Sequence, residues 1–345
     1  MRHISVFLLC VLLAACATTR DGGGKPPKAR ESGQKPVAEN GKAPVATKDP
    51  RPLVTIMQDI GTLGDTVVHF GETVGGGFVV MKGIENRPVP PMNYQKTDFK
   101  KVIMEIAGAT QCHVAECPYY FFLYPPGYES LLGLSLSGRL DSAVAAKTAA
   151  MTFGSDTPLY KALTLLSASM GAAIVADNVL SEARTGAVTL AELPVGDALE
   201  ALLKSARLSP DAFQVESTPE YVFLYVGPPV PPRSTLIGEE TLTPEDRAYL
   251  DTVVDLYLPE RPADTKQYVI PAGAATLGRV LDSLSEQLNR TVIAAPGMED
   301  FPVNPCALVN VRIRTALDLL IRQWPLPDFG YAIEGGQIVI RRNKG

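Results

Sequence analysis

The chain has 345 residues, enough for two or three domains, and 46% of them are hydrophobic, enough to build real cores. A net charge of −5 is mild, so neither nucleic acid nor an acidic substrate is suggested as a partner. Beyond the first fifteen residues no long apolar run stands out as a membrane-spanning helix.

The chain opens "MRHISVFLLCVLLAACATTR". The apolar run from Ile4 to Ala15 follows Arg2 and is too short to cross a bilayer, which takes about 20 apolar residues. It reads as an export signal. Its last four letters, Leu13-Ala14-Ala15-Cys16, resemble the lipobox of bacterial lipoproteins. That resemblance implies cleavage before Cys16, lipidation of Cys16 on its sulfur and new amino terminus, and a protein anchored to a membrane. The rival reading is a plain signal peptide with a chance cysteine. Ala17 follows the cysteine, where an aspartate would favour inner-membrane retention, so a periplasm-facing position on the outer membrane is expected. Residues 1–15 are then the signal and 16–50 a tether. From Ala17 to Pro52 the text is rich in Gly, Pro, Lys and Ala without a hydrophobic period, and it cannot bury enough surface to fold. A flexible tether of that length spans roughly 30–35 Å. Its excess of basic residues suits a solvated tail, with contact to anionic lipid or cell wall as the alternative.

The folded part carries an internal repeat. The clearest copy runs over residues 149–226. A short strand with Met151 and Phe153 leads to Thr157 as N-cap and Pro158 at the first helical position. Leu159, Ala162, Leu163, Leu166 and Met170 recur at helical spacing, and Gly171 ends that helix. Ala173-Ile174-Val175 reads as a buried strand, followed by a strand at Ala187 to Leu190 and a second helix with Val195, Ala198, Leu199, Leu202 and Leu203 inward. A hairpin, Phe213 to Glu216 and Tyr221 to Val226, closes the unit.

The same β-α-β-β-α-β-β order fits residues 51–130. Leu53 to Met57 opens it, Asp65 to Val74 and the stretch with Phe99, Val102, Ile103 and Ile106 are its helices, and "YYFFLY" its last strand. It also fits residues 266–345. There "QYVI" leads to a helix with Leu277, Val280, Leu281, Leu284 and Leu288, then to one with Ile313, Ala316, Leu317 and Leu320, and to "GQIVIRR".

The stretches "DTPLYKALTLLSASMGAAIVAD", "GAVTLAELPVGDALEALLKSARL" and "YVFLYV" resemble the secretin and TonB short N-terminal (STN) domain. "YQKTDFKKVIMEIAGAT" and "VRIRTALDLLIRQW" resemble its second-helix half. The resemblance implies an α+β chain of three tandem secretin N-domain-like modules, and modules of that family form periplasmic rings or dock protein partners. Nothing after "IVIRRNKG" supplies the strands of a pore, and no receptor barrel follows, so the chain is not expected to be the channel or a complete receptor.

Two connectors remain. Residues 131–148 read as a strand plus a helix of unassigned packing. In residues 227–265, Gly227 to Pro232 is a stiff spacer, and Thr243 caps a helix from Pro244 whose Tyr249, Val253 and Leu256 share a face. The closing strands "YYFFLYP" and "EYVFLYV" alternate little, so both of their faces should be covered. With the spacer limiting cover from the third copy, Phe121 and Phe223 are candidate partner-facing residues.

"QCHVAEC" places Cys112 and Cys117 at the ends of an expected hairpin. A turn at Val114-Ala115 would set them opposite each other, within disulfide range and in an oxidising compartment. Two free thiols are the alternative. A metal site with His113 is a poorer one, because adjacent strand residues point to opposite faces. Cys306 is then an unpaired core residue. No nucleophile elbow, HExxH or phosphate loop occurs, and no cofactor is called for. Ser32 and Lys35 have Ser-x-x-Lys spacing but sit in the tether. "GTLG" at Gly61 to Gly64 has the form of an RNA-binding KH loop but lies between Asp59 and Asp65, and His69 reads as a helix-face residue. The expected protein is therefore not an enzyme. It is a lipid-anchored structural or docking component of a secretion or type IV pilus machine, with a secretin, another envelope protein or a second copy as partner. A periplasmic module for peptidoglycan or a small ligand is the alternative.

Overall fold

The computed structural model describes residues 53–228, 233–263 and 269–343. The Cys16 lipobox and the tether lie outside these residues, as do Gln267 and Tyr268 of the expected "QYVI" strand.

The first segment runs β1 (Leu53–Gln58), β2 (Gly61–Thr62), α1 (Leu63–Val74), β3 (Gly77–Val80), β4 (Pro88–Val89), β5 (Met92–Asp98), α2 (Phe99–Ala109), β6 (His113–Glu116) and β7 (Tyr120–Tyr124). Both helices start where a side chain closes their first turn. The Thr62 hydroxyl accepts the Asp65 N–H at 3.1 Å, and Asp98 accepts those of Lys100 and Lys101. Helix α1 stops at Gly75 with φ 71°, a left-handed conformation that glycine adopts without strain. Strand β1 pairs antiparallel with β5, β6 antiparallel with β7, and β7 parallel with β3.

The second segment runs α3 (Ser142–Ala145), β8 (Thr148–Phe153), α4 (Leu159–Met170), β9 (Ala173–Ala176), α5 (Asn178–Ser181), β10 (Val188–Pro194), α6 (Val195–Ser205), β11 (Gln214–Ser217) and β12 (Tyr221–Tyr225). Helix α4 begins one residue later than expected, with Pro158 as its N-cap, because the Thr157 hydroxyl turns back to the Gly154 carbonyl. Strand β8 pairs antiparallel with β10, β11 with β12, and β12 parallel with β9.

The third segment runs α7 (Pro244–Leu250), β13 (Val253–Leu258), β14 (Ala275–Thr276), α8 (Leu277–Leu288), β15 (Val292–Ala294), β16 (Pro302–Val303), β17 (Cys306–Arg312), α9 (Ile313–Arg322), β18 (Phe329–Glu334) and β19 (Gln337–Arg342). Thr243 caps α7 as expected, but the helix ends at Leu250. Val253 and Leu256 belong instead to β13, which pairs antiparallel with β17 and so opens this segment in place of "QYVI". Val269 and Ile270 are irregular. Strand β18 pairs antiparallel with β19, and β19 parallel with β15.

The fold is mixed α+β with several small sheets, and one pairing pattern recurs in the three segments. Each has an antiparallel ribbon of its first and third long strands. Each also has a three-stranded sheet in which the second strand runs parallel to the last strand of a hairpin. Strand β3 also pairs with β10, which joins two segments into a five-stranded sheet of order β6-β7-β3-β10-β8. Strand β9 packs beside β17 without a backbone ladder. Two buried cores result. One spans the first segment and most of the second, including Leu131, Leu134, Leu136 and Val144 of the connector. The other takes Tyr221, Phe223 and Tyr225 of the second segment into the core of the third.

Candidate functional site

The chemistry of the molecule is concentrated at the two seams between segments. In a strand, successive side chains point to opposite faces. In β12, Val222 and Leu224 therefore face the helices of their own segment, while Tyr221, Phe223 and Tyr225 face outward; all five are buried. The third segment covers the outward set. Arg322, near the end of α9, lays its guanidinium 4.3 Å from the centre of the Phe223 ring. Its Nη1 and Nη2 donate to the two Glu216 oxygens at 2.8 and 2.7 Å. The Tyr221 hydroxyl donates to Glu216 as well. Both members of the ion pair have side chains only 5% exposed, so neither charge has water in reserve. Burial pulls the Arg322 guanidinium down, but Glu216 more than offsets this and leaves it above its ordinary value. Burial first, then Glu216, pushes the Tyr221 phenol up, so it stays a donor.

The first seam has the same plan with a simpler cation. Register matches Tyr120, Phe122 and Tyr124 of β7 to Tyr221, Phe223 and Tyr225 of β12. Lys204 holds the place of Arg322 on α6, and its Nζ donates to the Tyr120 hydroxyl at 3.1 Å. Glu200 lies 3.7 Å from the same ammonium. Each seam also latches a connector to a carboxylate at one helix position. The Leu136 N–H donates to Glu200 at 2.6 Å, and the Thr235 N–H and hydroxyl donate to Asp318 at 2.6 and 2.7 Å. Burial raises Asp318 to about 6 despite those bonds.

Beside the second seam is a cleft of about 370 Å³ between the β11–β12 turn and the start of α9. Arg233, Arg312 and Arg314 line it. Glu220 takes Arg312 Nε at 2.7 Å and the Thr315 hydroxyl at 2.7 Å, while Arg314 Nε lies 2.9 Å from Asp251. Arg312 and Arg314 are therefore largely neutralised by neighbouring carboxylates. The seams can hold surfaces together and the cleft can take a small polar ligand. Among the described residues, no group of three or more His, Cys, Asp or Glu side chains is placed to hold a metal. No described helix is long and apolar enough to cross a membrane.

The expected site residues fall differently. Cys16 lies outside the described residues. The Cys112–Cys117 disulfide is corrected: strand β6 runs straight through Val114-Ala115, and the turn comes later, where the Cys117 N–H meets the Tyr120 carbonyl. The two cysteines stand at opposite ends of an extended strand, roughly 16 Å apart at 3.3 Å per residue. Both are free thiols, as is Cys306. Cys112 is packed under Arg87, and burial pushes the Cys306 thiol up to about 12 against a hydrogen bond from Gln323.

Phe121 and Phe223 are also corrected as partner-facing residues, since each is packed against its own chain. Phe121 turns toward the helices, stacked on Phe78 with ring centres 6.0 Å apart and edge-on to Phe99, whereas Phe223 is covered by the third segment of its own chain. The seam residues Lys204, Glu216 and Arg322 were missed. Their signal was a charged residue at the same place near the end of two apolar second helices. His69 is exposed on α1, and the "GTLG" stretch is the Thr62-capped turn that starts it. No family model, curated protein or solved structure matches this chain.

Proposed function

We propose that the chain is a lipid-anchored, periplasm-facing structural or docking protein of an outer-membrane secretion or type IV pilus machine. In this reading its three segments are tandem modules of the secretin N-domain kind, they act through protein–protein contacts, and they perform no catalysis. The observation that carries the reading is the recurring strand pairing in three segments, in the same order as the sequence repeat that resembles the STN domain. The burial of the conspicuous chemistry at intersegment seams also supports a load-transmitting body. The partner is a secretin or another protein of the same machine, and the membrane is reached through Cys16.

Two measurements test this. Cys16→Ser is expected to leave the protein unacylated and to release it from the membrane fraction; a mutant still tightly membrane-bound without acyl chains would overturn the anchor. The fragment from about Arg51 is expected to bind a secretin's periplasmic region in purified form. The cleft beside the second seam favours a second reading, a periplasmic module for peptidoglycan or a small ligand. Binding of purified peptidoglycan fragments that Arg312→Ala abolishes, with no binding to a secretin, would select that reading.

A further inference from the structure

We infer that one docking rule builds both seams and that the molecule ends this rule with a proline at each outer end, so that the seam surface does not accept a second copy of the chain. In each seam the N–H two residues past a segment's second strand donates to the carbonyl at the end of the next segment's second helix. Lys82 donates to Ser205 and Asn178 to Gln323, both at 2.8 Å. A second N–H, two residues before the third strand of that next segment, closes on the same helix end. Gly186 donates to the Ser205 carbonyl at 3.4 Å, and Asn304 to Gln323 Oε1 at 2.9 Å.

Strand pairing fixes the corresponding positions at the outer ends. Met81, Asp177 and Ala295 each donate the N–H to the last strand of their own segment, at Leu123, Leu224 and Ile340. The residues after them therefore correspond: Lys82, Asn178 and Pro296. Counting back from the starts of β5, β10 and β17 aligns Pro90 with Gly186 and Asn304. Proline has no N–H, so each outer end lacks the donor it would need.

The side chains agree. On α2, Gly108 stands where Lys204 and Arg322 supply the cation, and Met104, 53% exposed, stands where Glu200 and Asp318 latch a connector. Just past the end of α2, Arg87 fills the approach, its Nη1 donating to the Thr110 and Gln111 carbonyls at 2.7 and 2.9 Å. On the third segment Gln337, Val339 and Arg341 replace the aromatic trio, and Ile293 is 40% exposed where Val79 and Val175 are 0% and 3%. A head-to-tail seam left open at both ends would propagate into filaments. Polar ends are what repeat stacks use to stop. The inference is independent of any secretin partner.

The test uses the full chain carrying Cys16→Ser, so that no acyl chain drives association. Sedimentation is expected to give the mass of one chain from micromolar to millimolar concentration. One variant restores the third-segment end (Pro296→Asn, Gln337→Tyr, Val339→Phe, Arg341→Tyr). A second restores the first-segment end (Pro90→Gly, Gly108→Lys), and a side chain at Gly108 meets nothing within 4 Å. Each alone is expected to stay monomeric and their mixture to form a one-to-one complex. Concentration-dependent oligomers of the parent chain that Ile293→Asp dissolves would overturn the inference, as would folded variants that do not pair. Should a variant not fold, Asn178→Pro reads the rule inside the native seam. Proline is tolerated at the first position of α5, so amide exchange is expected to quicken at least several-fold in β9 and β17 only. Unchanged exchange there would overturn the rule.

Discussion

The first seam adds a strand ladder to the helix-end bonds that both seams share, whereas the second is reinforced by buried charge, and one small residue decides between them. Gly71 and Ser167 are each the ninth residue of their helix. A Cβ at Gly71 would collide with the Thr189 side chain; without it β10 closes on β3 and pairs Val188 with Val79 and Thr189 with Phe78. In the second segment the Ser167 hydroxyl accepts the Ile174 N–H at 2.8 Å, and its one proton lies between the Leu163 and Ile174 carbonyls at 2.8 and 3.1 Å. A strand edge must satisfy its polar groups somewhere. When it does so internally, the neighbouring strand has nothing left to bond, and the hold passes to buried charge. The Arg322–Glu216–Tyr221 group therefore stands at the second seam, and a single lysine suffices at the first.

Breaking the two cations should give the largest difference. Arg322→Ala leaves Glu216 buried without its counter-charge and is expected to cost about 3–5 kcal/mol. Lys204→Met leaves a carboxylate nearer water and should cost about 1–2 kcal/mol. Chemical unfolding of the two variants measures both, and equal losses would erase the distinction between the seams. Replacing both Arg322 and Glu216 by apolar residues should recover most of the loss, since what is expensive is the unpaired charge.

The connector latches sharpen the same contrast through pH. Asp318 is raised from its ordinary 3.8 to about 6, first by burial, against the Thr235 hydrogen bonds and nearby Arg322 and Arg314. The folded state then holds this proton more tightly than the unfolded chain. Its contribution is greatest at low pH, declines as pH rises through that interval, and levels off above about 6. The full swing is at most about 3 kcal/mol. Asp318→Asn keeps an acceptor for Thr235 without the charge, so it should remove this slope and add about 1–3 kcal/mol at neutral pH. Urea midpoints of the two proteins across this range check the sign; a variant less stable than its parent at neutral pH would show that the carboxylate is held by more than Thr235.

Gly71→Ala is the next test. The new methyl must push β10 away from β3, at a cost of about 1–3 kcal/mol by overpacking, and amide exchange should quicken at Phe78 and Thr189 while β9 is unaffected. This difference between seams was not legible in the sequence, because helical spacing identifies a buried position without saying which segment buries it. What was legible came from local periodicity and caps: α1, α2, α4, α6, α8 and α9, and the repeated order of elements. The errors arose where two periods compete. Tyr249, Val253 and Leu256 fit one helix face, but Val254, Leu256 and Leu258 also alternate, and pairing with β17 settles the matter in favour of a strand. In "YYFFLY" and "EYVFLY" the register sets Phe122, not Phe121, opposite the place of Phe223, and a shift of one residue turns a side chain to the opposite face.

The smallest expected effect is kinetic and compares the thiols at the two seams. Cys117 is half-buried beside Tyr120 and Lys204, and burial raises its thiol above the ordinary range even though the Lys204 charge pulls it down. Cys306 is buried in the second seam and raised further, to about 12. Cys112 is buried under Arg87. The turn signal overlooked at this place is Pro118, which suits the second position of a tight turn, so the strand continues to Glu116 and the cysteines are held apart. Native protein treated with an alkylating reagent at mildly alkaline pH should therefore label slowly at Cys117, and at Cys112 and Cys306 only after unfolding. In Arg322→Ala, loosening of the second seam should bring Cys306 into reach while leaving the Cys117 rate unchanged. Peptide mapping that finds Cys112 joined to Cys117 would contradict the β6 register, and Cys306 labelling as fast as Cys117 in the parent chain would mean that the second seam opens as readily as the first.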